Sequence, residues 1–350
     1  MSISYNDPDF ERLLSALASK VPDRVPLLEF WPMSGRIIEF VLERPLGYAI
    51  GSAMEGRTDS VRIEDLLEFS TRVGMDAVGA DFVWWPGQVF KKSADGAGHY
   101  ADGRIKERDD IPRMESPEDL AMLCERYHEY RARAKGTGIG VYPRVSAFFN
   151  PAYLAVGLID FWYKVHDDLG FIELLIDTLF ERQMRVMETV CALEGVRFVQ
   201  IDDDIAYGAG LFLKPDLFMR LYLDRMKFFL RPAKERGILI AYHTDGKLDD
   251  VLPIFLELGV DAVHPVEPMC NDIYAVKKKY AEKMCLCGNI DLRLLSQGEP
   301  GEVREDVKTH LDVLKTGGGY VCGSSSSLYD GIPPVNYCEL VKTVHDFGFY

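Results

Sequence analysis

The sequence has no long apolar run and fewer basic than acidic residues. No apolar stretch approaches the roughly 20 residues that a helix needs to span a bilayer. Residues 1–12 are polar and acidic, unlike the basic-then-apolar start of a signal peptide. Lys and Arg total 40 against 55 Asp and Glu, for a net charge of −15. Because phosphate binding needs clustered Lys and Arg, we expect no nucleic-acid partner. The lack of a long apolar run argues against a membrane partner, and the lack of a signal peptide favours a cytoplasmic location.

Cysteines are few, odd in number and scattered. The seven stand at positions 124, 191, 270, 285, 287, 322 and 338, so a disulfide framework is not expected. Cys285 and Cys287 fall inside an apolar strand, and we interpret them as core residues. No internal repeat or Pro/Gly/Ser-rich linker divides the chain. We therefore predict one domain over residues 1–350, with an N-terminal helical extension at 1–22 and an excursion at 86–116.

Short apolar runs alternate with helical stretches along the chain. The runs are continuously apolar, as expected for strands covered on both faces. Helical stretches follow, for example Glu173 to Glu194 and Pro215 to Arg236. This alternation predicts an α/β fold of parallel βαβ units, a TIM-like (β/α)8 barrel, with an open doubly wound sheet as the alternative. The eight predicted strands are Val25–Phe30, Ala77–Val83, Gly140–Ala147, Phe198–Ile201, Ile238–Tyr242, Ala262–Val266, Met284–Cys287 and Tyr320–Cys322.

Three residues near predicted strand ends form a candidate metal site. His243 and Asp245 are two apart as they leave the fifth strand, and Cys322 ends the eighth. Imidazole, carboxylate and thiolate are all zinc ligands, and three protein ligands with an open position are typical of catalytic zinc. Glu267, after the sixth strand, is a candidate fourth or exchangeable ligand. The alternative is that His243 only forms hydrogen bonds at the barrel rim and that Cys322 is a small buried hydrophobic residue.

The acidic run that follows the fourth strand has two interpretations. Asp203 and Asp204 are candidate acids or bases directed at the substrate, because closely spaced carboxylates raise one another's pKa. Alternatively, the run caps a helix and forms a solvated loop.

Several aromatic residues lie next to strand ends. Trp84, Phe148 and Tyr207 pack in the core by default, but at the barrel mouth they would suit a flat apolar substrate or cofactor. We find no Walker motif, no G-x-S-x-G and no H-E-x-x-H.

Four segments in the second half resemble the uroporphyrinogen decarboxylase superfamily. They are QIDDDIAYGAGLFLKPDLF (200–218), YHTDGKLDDVLPIFLELGVDAVHPVEP (242–268), LCGNIDLRLLSQGEP (286–300) and GGGYVCGSSSSLYDGIPPVNY (317–337). The opening PDRVPLLEF (22–30) fits the same family, so the resemblance spans nearly the whole chain. It implies a TIM-like barrel and one of two activities, which are cofactor-free decarboxylation and zinc-dependent methyl transfer involving a corrinoid protein.

Two decarboxylase features are missing. The Met-Arg-Gln-Ala-Gly-Arg-like segment reads WPMSGR here and keeps only Arg36, and the Gly-His-Gly near the last strand reads SSSS. The methyltransferase branch binds zinc with a His-x-Cys pair and a later Cys, which His243 and Cys322 match. Asp245 replaces the first Cys.

The resemblance thus implies a zinc-dependent methyltransferase of the corrinoid-dependent branch. Its cobalamin would sit on a separate corrinoid protein, and a methoxylated aromatic undergoing O-demethylation is one candidate methyl donor. Asp203, Asp204 and Glu267 would move protons or orient the substrate. Asp81 would align with the central aspartate of the decarboxylases and bind substrate. A homodimer is left open.

Two other functions remain as alternatives. One is a metal-free decarboxylase that acts on another substrate through Asp81 and a cationic anchor such as Arg36 or Arg144. The other is a non-catalytic carrier of a corrinoid or tetrapyrrole.

Overall fold

A curled sheet of seven parallel strands forms the centre of the fold. The computed structural model describes residues 3–50, 61–92, 98–115, 119–280 and 282–350. In spatial order the strands of this sheet are β1, β4, β5, β8, β9, β10 and β11, and their neighbours pair in parallel. Their bounds are β1 Ala77–Phe82, β4 Gly140–Ser146, β5 Phe198–Asp202, β8 Leu239–His243, β9 Ala262–His264, β10 Cys285–Cys287 and β11 Tyr320–Val321. The predicted α/β TIM-like barrel is confirmed.

The first predicted strand, Val25–Phe30, lies in the gap between β11 and β1 but is not a regular strand. Cys322 N–H donates to the Pro26 carbonyl at 2.9 Å, and Asp76 N–H donates to the Leu27 carbonyl at 3.1 Å. Pro26 has no N–H to donate, and Leu27 N–H is taken by the Asp76 carboxylate at 3.2 Å. The segment therefore closes the barrel with an interrupted ladder.

Helices cover the outside of the sheet. Among the described residues, none of them is long and apolar enough to cross a membrane. The predicted helix Pro215–Arg236 is present, but a π-helical segment, Met219–Leu223, separates its two α-helical parts. The α-helices are α1 Phe10–Leu17, α2 Gly35–Leu42, α3 Ile63–Val73, α4 Leu120–Ala134, α5 Phe149–Val156, α6 Leu158–Asp167, α7 Leu169–Ala192, α8 Pro215–Phe218, α9 Asp224–Glu235, α10 Val251–Leu258, α11 Ile273–Tyr280, α12 Leu292–Gln297, α13 Pro300–Leu314 and α14 Pro334–Phe347.

Two small hairpins follow strands of the central sheet. Strands β2 (Gln88–Lys92) and β3 (Gly98–Gly103) pair antiparallel within the segment predicted as an excursion, and a 3₁₀ helix follows at Arg108–Arg113. Strands β6 (Ala206–Tyr207) and β7 (Gly210–Leu211) pair directly after β5. The division of the chain into one domain with these boundaries stays a prediction.

The register of the sheet decides which side chains face the barrel interior. His243 pairs with Asp202 on one side and with His264 on the other, so the three share a face. The rings of Tyr142 and Phe30 meet across the interior at 6.1 Å, and Phe30 also contacts His264 at 4.4 Å. The carboxyl ends of β5, β8 and β9 therefore direct their polar side chains into one mouth.

Candidate active site

A histidine and two aspartates converge at the mouth of the barrel. Asp204 follows β5, whereas His243 ends β8 and Asp245 follows it. One ligand atom from each lies within 4.8 Å of the others. Nε2 of His243 is 3.9 Å from a carboxylate oxygen of Asp204 and equally far from one of Asp202. One imidazole and two carboxylates form a donor set that divalent cations such as zinc accept.

Backbone and amide hydrogen bonds hold the Asp204 carboxylate in place. Asp245 N–H donates to Asp204 at 2.9 Å, and the Asn150 side-chain amide donates to the other Asp204 oxygen at 3.0 Å. Gly246, with φ of 100°, lets the chain turn against β6, where a Cβ atom would lie 2.6 Å from the Tyr207 nitrogen. Gly246 N–H donates to Glu267 at 2.8 Å, which brings this carboxylate to the same rim.

A second histidine orients the first. Nδ1 of His243 and Nδ1 of His264 are 2.9 Å apart, and Nε2 of His264 is 3.4 Å from the Ser324 carbonyl oxygen. Because a carbonyl only accepts, His264 carries its proton on Nε2 and accepts at Nδ1. We assign the proton between the rings to His243 Nδ1, which leaves the His243 Nε2 lone pair facing the aspartates.

The buried charges of the cluster shift one another's protonation. Burial raises the pKa of Asp202 to about 6 and that of Asp245 to about 6, because each carboxylate loses solvation. Burial lowers the pKa of His243, but Asp202, Asp245 and Asp204 outweigh it and the net pKa is raised. Burial lowers the pKa of His264 well below its usual value, so this ring is neutral.

Comparisons with known proteins place the chain in a family. The family model of uroporphyrinogen decarboxylase (URO-D) matches residues 161–347, more than half of the chain. The chain belongs to the URO-D family. The URO-D match and the barrel fold agree with the resemblance seen in the sequence.

Two individual proteins are similar to this URO-D family member. A uroporphyrinogen decarboxylase of Pseudoalteromonas translucida is 30% identical over 77 residues, which span 22% of this chain and 22% of that protein. A solved methyltransferase from Methanosarcina mazei is 17% identical with a TM-score of 0.72. The alignment covers 97% of this chain and 98% of that one, so the two share the fold.

The predicted ligand Cys322 is not brought to the cluster in this URO-D family member. Strand β11 pairs Val321 with Cys287, which shares the inward face of His264, so Cys322 lies on the opposite face of β11. Burial raises the pKa of Cys322 to about 12, and its charged neighbours are Glu29 and Asp306 rather than the aspartates of the mouth. Asp204 lies where the prediction placed the thiol.

Of the predicted catalytic carboxylates, Asp204 and Glu267 lie at the rim but Asp203 does not. Asp203 is fully buried and accepts the backbone N–H groups of Phe149 and Asn150 at the start of α5. It follows the helix-capping part of the second interpretation, because it binds the N–H groups at the start of α5, but it lies in the core and not in a solvated loop.

The predicted substrate-binding residues are dispersed. Asp81 pairs with the buried Arg144 at 2.6 Å. Phe148 is fully buried against Phe180 and Tyr222 and is a core residue. The remaining two are Trp84, which is buried, and Tyr207, which is half-exposed and stacks on Phe212 at 5.4 Å.

Three residues of the site were not predicted as site residues: His264, Trp31 and Tyr153. Asp202 was considered only as part of the acidic run that follows the predicted fourth strand. The Trp31 ring meets the His243 ring edge-on at 4.6 Å. Tyr153 lies three residues after Asn150 on α5, and the Asn150 side-chain amide donates to Asp204 at 3.0 Å, so Tyr153 stands on the face of α5 that meets the mouth. His264 could have been found, because it ends the strand next to His243.

Proposed function

We propose that this protein is a metal-dependent methyltransferase that exchanges a methyl group between a small substrate and a corrinoid held by a separate protein. The observation that carries the proposal is the cluster of Asp204, His243 and Asp245 with the His243 Nε2 lone pair directed at it. Membership in the URO-D family and the fold shared with the Methanosarcina mazei methyltransferase support it.

The three residues fit a divalent metal, and zinc is our choice. His243 donates its other ring proton to His264, as the histidine ligands of metals usually do to a neighbouring acceptor. Three protein ligands leave a position open for substrate, as in catalytic zinc sites. Zinc supplies a Lewis acid for the heteroatom that bears the methyl group, and a reduced corrinoid supplies the nucleophile that accepts it.

The remaining groups of the mouth have roles of their own. The heteroatom keeps the electron pair of the broken bond to the methyl carbon and needs a proton. Asp202 and Glu267 stand beside the cluster as carboxylates and can relay that proton from water. The rings of Trp31 and Tyr153 bind the substrate body and exclude water from the mouth.

The metal content of the purified protein tests the proposal. We expect about one zinc per chain by elemental analysis, lost in His243→Ala and kept in Cys322→Ala, which serves as the matched control. Methyl transfer to free cob(I)alamin, followed by its absorption spectrum, then reports activity with methoxylated aromatics and with methylated amines. A wild-type protein that takes up no zinc, or a His243→Ala variant that keeps it, would contradict the proposal.

The metal-free decarboxylase is the second candidate, and the contacts of its cationic anchors weigh against it. Arg144 is committed to Asp81 at 2.6 Å and to the Phe30 carbonyl. Arg36 donates to the Asp330 carbonyl at 2.7 Å. A decarboxylase would need one of these guanidinium groups free for a substrate carboxylate. Full activity after removal of all metal would favour this candidate.

A further inference from the structure

The mouth of the barrel carries more negative charge than a metal ion would neutralise. Asp202, Asp204, Asp245 and Glu267 gather there. Among the described residues, no Lys or Arg pairs with any of the four. The nearby Arg144 is neutralised by Asp81. A divalent ion would balance two of the four carboxylates, so two negative charges would remain to face the substrate.

Asp202 is the clearest of the unbalanced groups. Its carboxylate is only 14% exposed and lies on the inward face of β5. It receives no hydrogen bond from any residue in the described part of the chain, and its closest charged contact is His243 at 3.9 Å. A buried carboxylate without donors is costly, and a bound cation would satisfy it.

An aromatic wall stands beside these carboxylates. Tyr153, which is 5% exposed, stacks on Trp162 at 6.3 Å, and Trp162 stacks on Phe212 at 5.4 Å. Tyr153 shares a face of α5 with Asn150, whose side-chain amide donates to Asp204 at 3.0 Å, and the Tyr153 hydroxyl forms no hydrogen bond within the described ranges. The Trp31 ring contacts the His243 ring edge-on at 4.6 Å, and one of its faces carries the Arg144 guanidinium at 5.7 Å. Aromatic faces beside carboxylates attract ammonium groups.

We propose that this mouth selects a cationic substrate, one that carries an ammonium group beside its methylated heteroatom. The ammonium group lies against Trp31 and Tyr153 and is balanced by Asp202 and Glu267, while the methylated heteroatom faces Asp204, His243 and Asp245. The unpaired Tyr153 hydroxyl accepts from an N–H of the ligand or donates to its heteroatom. This inference rests on the proposed function, because it assigns the substrate class of the same site.

A pair of probes that differ only in charge tests the inference. Zinc-loaded protein is titrated with choline and with its neutral isostere 3,3-dimethylbutan-1-ol, followed by calorimetry and tryptophan fluorescence. We expect choline to bind at least about tenfold more tightly and its affinity to fall with ionic strength. Glu267→Gln should remove most of this preference. Glu181→Gln, on an exposed position of α7, is the matched control and should keep it.

Each outcome separates the inference from the proposed function. Equal affinity for the two probes, or no choline binding, in protein that retains zinc overturns the cationic substrate and leaves the metal site intact. Protein that holds no zinc defeats the proposed function, and the same titration of the metal-free form then judges the charge preference alone. Trp31→Leu is a second variant, which should keep zinc and lose the choline preference.

Discussion

Two clusters of buried charge lie at opposite ends of the barrel, and they differ in how well they are paired. At the amino ends of the strands, the fully buried Asp76 accepts from Asp9 N–H at 2.7 Å, Arg12 Nη1 at 2.8 Å and Leu27 N–H at 3.2 Å. Arg12 also holds Asp23 at 2.8 Å. At the carboxyl ends, Asp202 has no such donors.

Pairing, rather than burial or acidity, distinguishes the two ends. Each cluster contains an aspartate taken largely out of water, Asp76 at one end and Asp202 at the other, which is costly unless cations and hydrogen bonds replace the water. The cluster at the amino ends, here called the lower cluster, obtains those partners from the protein itself. It also ties α1 to the strand segment that closes the barrel. The cluster at the carboxyl ends, here called the upper cluster, lacks enough cations and hydrogen-bond donors of its own. This is expected of a site that binds a metal and a substrate.

The largest expected effect comes from breaking the lower cluster. Asp76→Ala removes the acceptor of three hydrogen bonds and leaves Arg12 partly unpaired. We expect it to lower the free energy of unfolding by about 3–5 kcal/mol in urea denaturation. Asp23→Ala is the control, since its carboxylate is 59% exposed and should cost about 1 kcal/mol or less. Similar losses in the two variants would remove the basis of the comparison.

A third buried carboxylate, Glu29, accepts hydrogen bonds from neutral donors. Its protonation should make the free energy of unfolding depend on pH. It accepts from Ser324 N–H at 3.2 Å and from the Ser324 hydroxyl, and burial raises its pKa to about 7. The folded state therefore holds this proton more tightly than the unfolded state. Its contribution to stability is fully present below about pH 4.5 and is lost as the pH rises through about 7.

Glu29→Gln tests this prediction. Through this group the wild type should lose about 3 kcal/mol of unfolding free energy between pH 4.5 and 7. Over the same range, the total loss in Glu29→Gln should be smaller by about 3 kcal/mol. Urea denaturation across the pH range provides the measurement. Glu181→Gln controls for the loss of a carboxylate as such. An unchanged pH slope in Glu29→Gln would show that Glu29 ionises freely in the folded protein.

The smallest expected effect has the opposite sign. Asp202→Asn removes an unpaired carboxylate from the upper cluster and so relieves repulsion by Asp204 and Asp245. In metal-free protein we expect the variant to be more stable by about 2 kcal/mol while binding choline more weakly. Thermal unfolding and the choline titration check the two parts. A loss of stability would mean that Asp202 has partners within the fold.

Sequence reasoning found most of the fold and part of the site. Seven of the eight predicted strands are present, because parallel strands that are buried on both faces have continuously apolar sequences. The remaining predicted strand, Val25–Phe30, is interrupted at Pro26, because proline has no N–H to donate to a neighbouring strand. At the site, His243 and Asp245 lie close together as their spacing predicts, although Asp245 lies beyond the end of β8 rather than on the strand.

The sequence does not show which side chains of the later strands face the barrel interior. Cys322 matched the family pattern, yet the register of β11 turns it away from the mouth. A shift of one residue in register reverses every side chain, and register depends on packing between distant segments. The same limit hid the hydrogen bond from His243 to His264, which joins two strands whose pairing no local pattern states.

The sequence by itself determined the alternation of strands and helices and the presence of polar residues at the strand ends, because burial on both faces and helix periodicity are local patterns. Only the tertiary structure decided which carboxylates are paired. Asp76 and Asp202 are both buried aspartates next to strands of the same sheet. Asp76 accepts hydrogen bonds from Arg12 and two backbone N–H groups, whereas Asp202 lies beside His243 and further carboxylates. That difference arises because the barrel brings different segments of the chain to its two ends.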